Sequence, residues 1–133
     1  PQMNFMDAVV NVKGNDVDLK VGSFDIKLPA AKAKALIDGG YAGKTVVMGI
    51  RPEDVHDDAA FVAAHPDTKI EATIRVYELL GAEVFLYFDL ENFPMTARVN
   101  PTTTARTGSN VTFALDADKI HVFDKETELT ITN

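Results

Sequence analysis

Apolar and polar residues alternate with a period of two along most of this chain, the mark of strands buried on one face only. Met6, Ala8, Val10 and Val12 alternate with Asp7, Asn11 and Lys13, and Gly14-Asn15-Asp16 supplies a turn. Val17, Leu19 and Val21 follow, and after Gly22-Ser23 come Phe24, Ile26 and Leu28. The pattern returns at Thr45 to Ile50, at Ile70/Ala72/Ile74/Val76, at Val84/Leu86/Phe88/Leu90 and at Met95/Ala97/Val99. Val111/Phe113/Leu115, Ile120/Val122 and Leu129/Ile131 complete the series. About ten short strands separated by turn residues predict an all-β fold of small barrels or a sandwich.

One segment departs from this period. Residues 29–38 are rich in helix formers, alanine and lysine above all, with Pro29 suited to a first helical turn and Gly39-Gly40 to a helix end. One clear helix is therefore expected near 29–37. A weaker helical candidate runs over 58–64 and is closed by His65-Pro66. Alternation lapses from 55 to 68 and resumes at Lys69, which places a boundary between two sub-barrels at approximately 1–55 and 69–133.

Composition narrows the function classes. The chain has 133 residues, 46% hydrophobic and 25% charged, as in ordinary globular domains. Its apolar runs are far shorter than the roughly 20 residues a spanning helix needs, so direct membrane insertion is not expected. No basic stretch followed by an apolar one opens the chain, so export is not expected either. Cysteine is absent, which fits a reducing compartment. Asn110-Val111-Thr112 then reads as strand sequence that happens to match a glycosylation sequon. The net charge is −7 with basic residues scattered, and nucleic-acid binding needs a basic stripe. Nucleic acid is therefore not an expected partner. A start at Pro1-Gln2 fits a processed chain or a piece of a longer one.

Four groupings invite a chemical reading. Residues 38–45 end in Gly43-Lys44-Thr45, like a phosphate-binding loop, but such a loop leaves a strand and opens a helix. Here a helix precedes and a strand follows, so the segment is expected to be a helix-to-strand turn without nucleotide. His56-Asp57-Asp58 with His65 offers ligand atoms at a spacing that matches no metal-site template. Asp116-Ala117-Asp118-Lys119 reads as a hairpin turn and residues 124–128 as a charged turn. No nucleophile motif is present, so no catalytic, cofactor or metal residue is assigned. Aromatic placement carries more. If alternation holds, Phe85 and Tyr87 point away from the face made by Val84, Leu86 and Phe88. They are either exposed contacts or part of a second core. Phe123, between Lys119, His121 and further charge, reads as an exposed contact.

The string MGIRPEDV at 48–55 joins an apolar strand to a charged corner: Pro52 locks its own φ and holds Arg51 extended. Gly49, Arg51, Pro52, Glu53 and Asp54 in this string resemble the signature of the C-terminal regulatory domain of ABC-importer ATPase subunits of the multiple-sugar/maltose type. YELLGAE at 77–83, NPTTTARTGS at 100–109 and ALDADKIHVFDKETE at 114–128 resemble the same domain in the same order. The resemblance implies two oligonucleotide-binding-like (TOBE-type) barrels sharing a core. It implies a homodimer contact, with Glu78, the turn at Gly81, and Phe123 at the interface of two such domains. It also implies permease subunits as partners of the parent subunit, docking of a regulatory protein in some relatives, and a place on the cytoplasmic face of the membrane. ATP and magnesium would belong to an ATPase core outside this chain, whose own phosphate-binding loop, metal-binding aspartate and ABC signature are missing here. A different class of function, a free-standing oxyanion-binding barrel, rests on fold analogy.

Overall fold

The computed structural model describes residues 2–133. Strands β1 (Asn4–Lys13) and β2 (Asp16–Val21) form a hairpin over the two-residue turn Gly14-Asn15, where Gly14 takes φ +63°. Strand β3 (Phe24–Lys27) adds to β2 across a second turn. Helix α1 (Ala30–Asp38) follows, one residue beyond the expected end, and buries Ala33, Leu36 and the Lys32 stem. After Gly39 to Lys44 the chain enters β4 (Thr45–Ile50), antiparallel to β1. Residues 38–45 are thus the expected helix-to-strand turn. Their N–H groups are engaged, since Gly43 donates to Val10 O at 2.8 Å and Lys44 to Tyr41 O at 2.9 Å.

A 3-10 turn at Pro52–Asp54 leads into β5 (Val55–His56), and Arg51 sits extended before the proline at φ −76°, ψ 151°. Helix α2 (Ala59–Ala64) is capped by Asp58, whose carboxylate accepts from Phe61 N–H at 3.1 Å. The remaining strands are β6 (Lys69–Thr73), β7 (Val76–Leu80), β8 (Glu83–Leu90), β9 (Phe93–Val99), β10 (Asn110–Leu115), β11 (His121–Phe123) and β12 (Thr130–Thr132). They make three sheets, ordered β12-β11-β4-β1-β2-β3, β5-β10-β6 and β7-β8-β9. The all-β class expected from alternation holds, with twelve strands among the described residues instead of about ten and two α-helices instead of one clear one.

Several local expectations change. The run Ile70 to Val76 is two strands, because Ile74 N–H bonds Ser109 O while the next residue, Arg75, bonds Tyr87 O in another sheet. Residues 116–119 form a 3-10 turn that carries the chain from one sheet to another, because β10 pairs with β5 and β6 whereas β11 pairs with β4 and β12. A hairpin there is excluded. Leu129 is 68% exposed, because Glu128 at φ +62° and a register shift in the β11–β12 pair turn it outward. Sheet membership also crosses the division at 55/69: β11 and β12 complete the sheet begun by β1 to β4.

One contiguous core results, drawing Met6, Leu19, Ile26, Leu36, Met48, Ile70, Phe88 and Phe113 from all three sheets and α1. Phe88 and Phe113 stack at 4.7 Å, both fully buried. Buried Asn4 bonds both backbone groups of Thr96, at 2.9 and 2.8 Å, tying β1 to β9. Each buried polar group of that amide thus finds a partner, as burial requires.

Candidate functional site: an aromatic patch on the outer sheet face

The inward set of β1 is Met6, Ala8 and Val10, so Phe5 must face out. Phe5 lies opposite Gly49 on β4, and Gly49 in turn lies opposite His121 on β11. Two residues along, on the same face, Val47 lies opposite Phe123. This register sets the Phe5 and Phe123 rings edge to face, centroids 5.9 Å apart at 63°. Gly49 forms the floor beneath them: an added Cβ would meet Met3 Sδ at 2.6 Å, Phe123 Cε2 at 3.1 Å and Phe5 Cε1 at 3.3 Å. Glycine lets these side chains close over the strand, and its backbone φ is not in the left-handed region, so close approach alone accounts for it. Phe5 is 52% exposed, Phe123 is half-buried, and Leu129 projects nearby in sequence. A shallow cavity of about 320 Å³ is lined by Phe5, Val47, Phe123, Asp124, Lys125 and Glu128.

The rim of the patch is fixed by polar contacts. Asp124 Oδ1 accepts from the N–H groups of Glu126 and Thr127, both at 2.9 Å, and Oδ2 accepts from the Tyr41 hydroxyl at 2.7 Å. The Thr127 amide above all, then the Tyr41 hydroxyl, hold the Asp124 carboxyl down at about 2; the same bond raises the Tyr41 phenol. Residues 124–128 are the charged turn expected from sequence. Lys125 pairs with Asp7 at 2.5 Å, beside the rings.

The other expected contact residues lie elsewhere. Glu78 on β7 is opposite Phe85 on β8, and the Tyr87 hydroxyl donates to Glu78 Oε1 at 3.0 Å. Burial first, then that bond, raises the Tyr87 phenol. Glu78, Phe85 and Tyr87 therefore share the outer face of the β7-β8-β9 sheet, each half-buried. Gly81 makes the tight β7–β8 turn at φ +61°, a hairpin end with Glu78 to Leu80 already in the strand. The structure brings Glu78, Phe85 and Tyr87 together and leaves Phe123 on a different sheet. Phe5 is the exposed aromatic that sequence reading passed over, although its place opposite the inward set marked it.

In the motif corner, Pro52 is buried, Arg51 is exposed and its Nη1 lies 3.2 Å from His121 Nε2. Glu53 Oε1 is buried without a hydrogen-bond partner. The Asp54 carboxyl is raised, by burial first and then by the charges of Glu53 and Asp116. His56 and His65 each stack on the Phe61 ring, with centroids 3.9 and 3.8 Å away. His56 and His65 are linked through that ring and do not converge as ligands.

Comparison with known proteins places this architecture. The MalK OB fold domain matches residues 1–55 and the TOBE domain matches residues 48–123, more than half of the chain. The oligosaccharides import ATP-binding protein MsmX of Bacillus subtilis is 40% identical over 131 residues, covering 98% of this chain and 35% of MsmX. The multiple sugar-binding transport ATP-binding protein MsmK of Streptococcus mutans is 34% identical, covering 98% and 34%. The trehalose/maltose import ATP-binding protein MalK of Thermococcus litoralis is 34% identical, covering 96% and 34%. Among solved structures, the cytoplasmic molybdate-binding protein ModG matches with TM-score 0.66 and 16% identity over 90% of this chain and 94% of that one, a likeness of fold alone. The chain thus spans about a third of the length of the curated relatives it matches, and it belongs to the TOBE domain family, joined to a MalK-type OB fold on its N-terminal side.

Proposed function

We propose that this chain is the regulatory and dimerisation portion of a sugar-import ATP-binding subunit, through which two copies stay in contact while their ATPase portions open and close. One observation carries the reading: Phe5 and Phe123 meet edge to face over Gly49 on an outward sheet face, with Phe5 52% exposed. Apolar side chains so placed are the kind that anchor interfaces. A stable interface buries about 800 Å² per partner, roughly a ninth of the 7045 Å² surface here. In a two-fold contact, residue i meets residue j of the other copy. Glu78 and Phe123, on separate sheets of one copy, then become neighbours across the pair. The parent subunit would work on the cytoplasmic membrane face with permease subunits, with ATP and magnesium in its ATPase portion. A regulator that binds one state of the pair better would shift its balance by that difference in affinity.

The oxyanion-binding reading gains little from the fold shared with ModG. The cleft near Arg98 is lined by Glu53, Asp57, Asp58 and Glu83, and in the one near Lys44 and Lys125, where Lys125 is already paired with Asp7, two carboxylates, Asp124 and Glu126, offset the two lysines. Carboxylates repel the anion such a site would have to hold.

The test is sedimentation equilibrium over a concentration series. Wild type should associate, and Phe123→Ala should weaken association at least about tenfold. Each copy carries −7, so added salt should strengthen pairing or leave it unchanged. A wild type still monomeric at millimolar concentration, or a variant that pairs equally well, defeats the assignment.

A further inference from the structure

A second constellation lies away from the aromatic patch, where the two family segments overlap in the fold. Asp54 closes the 3-10 turn of the motif corner, His56 ends β5, and Asp116 follows β10. Backbone pairing brings them together. Val55 lies opposite Leu115 and His56 opposite Ala114, and the Asp116 N–H donates to Asp54 O at 3.0 Å. One ligand-type atom from each of the three side chains lies within 4.8 Å of the other two, and all three residues are half-buried.

The hydrogen bonding leaves this group with lone pairs to spare. Asp116 Oδ1 accepts from the Asp118 N–H at 3.2 Å, and among the described residues no donor reaches the Asp54 carboxylate. The His56 ring has a carboxylate neighbour, Asp58, at 3.9 Å, beyond hydrogen-bond range. Independently, Glu53 Oε1, next to Asp54 in the chain, is enclosed with no hydrogen-bond partner, and Glu53 lines a cleft with His56, with Asp54 and Asp116 outside its lining. An enclosed, unpaired carboxylate oxygen is costly unless a positive charge answers it.

We propose that Asp54, His56 and Asp116 bind a divalent first-row transition cation, with the Glu53 carboxylate supporting the site from alongside. The donor set is one imidazole nitrogen and two carboxylate oxygens. Imidazole suits zinc, copper, nickel and iron(II), the two carboxylates also accept manganese, and magnesium and calcium favour oxygen alone. Bond lengths of about 2.0–2.2 Å put the ligand atoms of one ion roughly 3–4 Å apart. Side-chain rotation covers the difference from 4.8 Å without moving the paired backbone. Water completes the coordination, as in sites with three protein ligands. Such an ion would staple the motif corner to the end of β10.

The test adds ZnCl2 or MnCl2 to the 133-residue chain. Calorimetry should read one site, and Mn²⁺ should broaden the amide signals around Asp54, His56 and Asp116. His56→Gln and Asp116→Asn should each weaken Zn²⁺ binding at least about tenfold, while His121→Gln leaves it unchanged. Magnesium in tenfold excess should not displace Zn²⁺. Binding weaker than millimolar, broadening centred on other carboxylates, or folded variants that bind equally well would each overturn the site. If a variant fails to fold by circular dichroism, the Mn²⁺ broadening map of wild type decides alone.

Discussion

Replacing Gly49 by alanine separates the patch from the fold that carries it. The new methyl would meet Met3 Sδ at 2.6 Å and the ring edges of Phe123 and Phe5 at 3.1 and 3.3 Å. All three obstacles are side-chain ends on an outward face, so they yield by rotating away. Were they backbone, overpacking would cost about 1–3 kcal/mol. Rotation instead forfeits the Phe5–Phe123 edge contact, about 0.5–1.5 kcal/mol. Alanine recovers about 0.5–1 kcal/mol over glycine within a strand. The two nearly cancel, so urea unfolding of Gly49→Ala should show a stability change of no more than about 1 kcal/mol. Self-association should respond far more, because the ring pair it presents is rearranged. A loss of 1.4 kcal/mol at the interface is tenfold in Kd, and sedimentation equilibrium resolves that readily. A stability loss above about 3 kcal/mol would mean the rings cannot yield. An unchanged Kd in a folded variant would mean they are not the contact.

Phe88→Ala should cost about 3–5 kcal/mol by urea unfolding, since Phe88 is fully buried and stacked on Phe113; a loss under about 1 kcal/mol would contradict the core described. Asp124 is held at about 2 in the folded chain against about 3.9 unfolded, so its contribution is complete above pH 4 and lost as pH falls through 2. The stability gap between wild type and Asp124→Asn should accordingly be constant from pH 7 to about 4.5 and close towards pH 2; a gap that persists at pH 2 refutes the linkage. Mg-ATP titrated into the chain by calorimetry should show no micromolar affinity that Lys44→Ala abolishes, because the amides of residues 43 and 44 are already bonded to Val10 and Tyr41.

Alternation made the faces legible and left the partners hidden. Met6, Ala8 and Val10 were readable as inward because period two is a local property of the pleat. The same period runs unbroken through Ile74, Arg75 and Val76, although the chain leaves one sheet there for another. Alternation reports which way a side chain points and is silent on which strand lies alongside. For that reason β11 against β4 was invisible, as was the approach of Asp116 to Asp54 and His56. Leu129 failed for a different reason: its outward turn follows from Glu128 at positive φ, which glutamate sequence does not announce. The motif corner succeeded because proline constrains two residues at once, and both Arg51 and Pro52 took the conformations that constraint requires.

The seam between the two expected sub-barrels bears on how such a domain could transmit movement. A division at 55–68 would make a hinge if few contacts crossed it. Several cross it in different directions. Strand β11 is bonded along β4, Asn4 grips both backbone groups of Thr96, Tyr41 is bonded to Asp124, and Lys125 to Asp7. Sliding one half on the other would strip a strand from a six-stranded sheet and leave the Asn4 amide buried without partners. Unsatisfied burial of a polar group costs about 1–3 kcal/mol by itself, and the strand bonds and core contacts would add to it. The halves therefore move as one body. A body of that kind passes displacement on to whatever it touches at its outer faces, which is the property a contact between two copies needs if it is to act as a pivot.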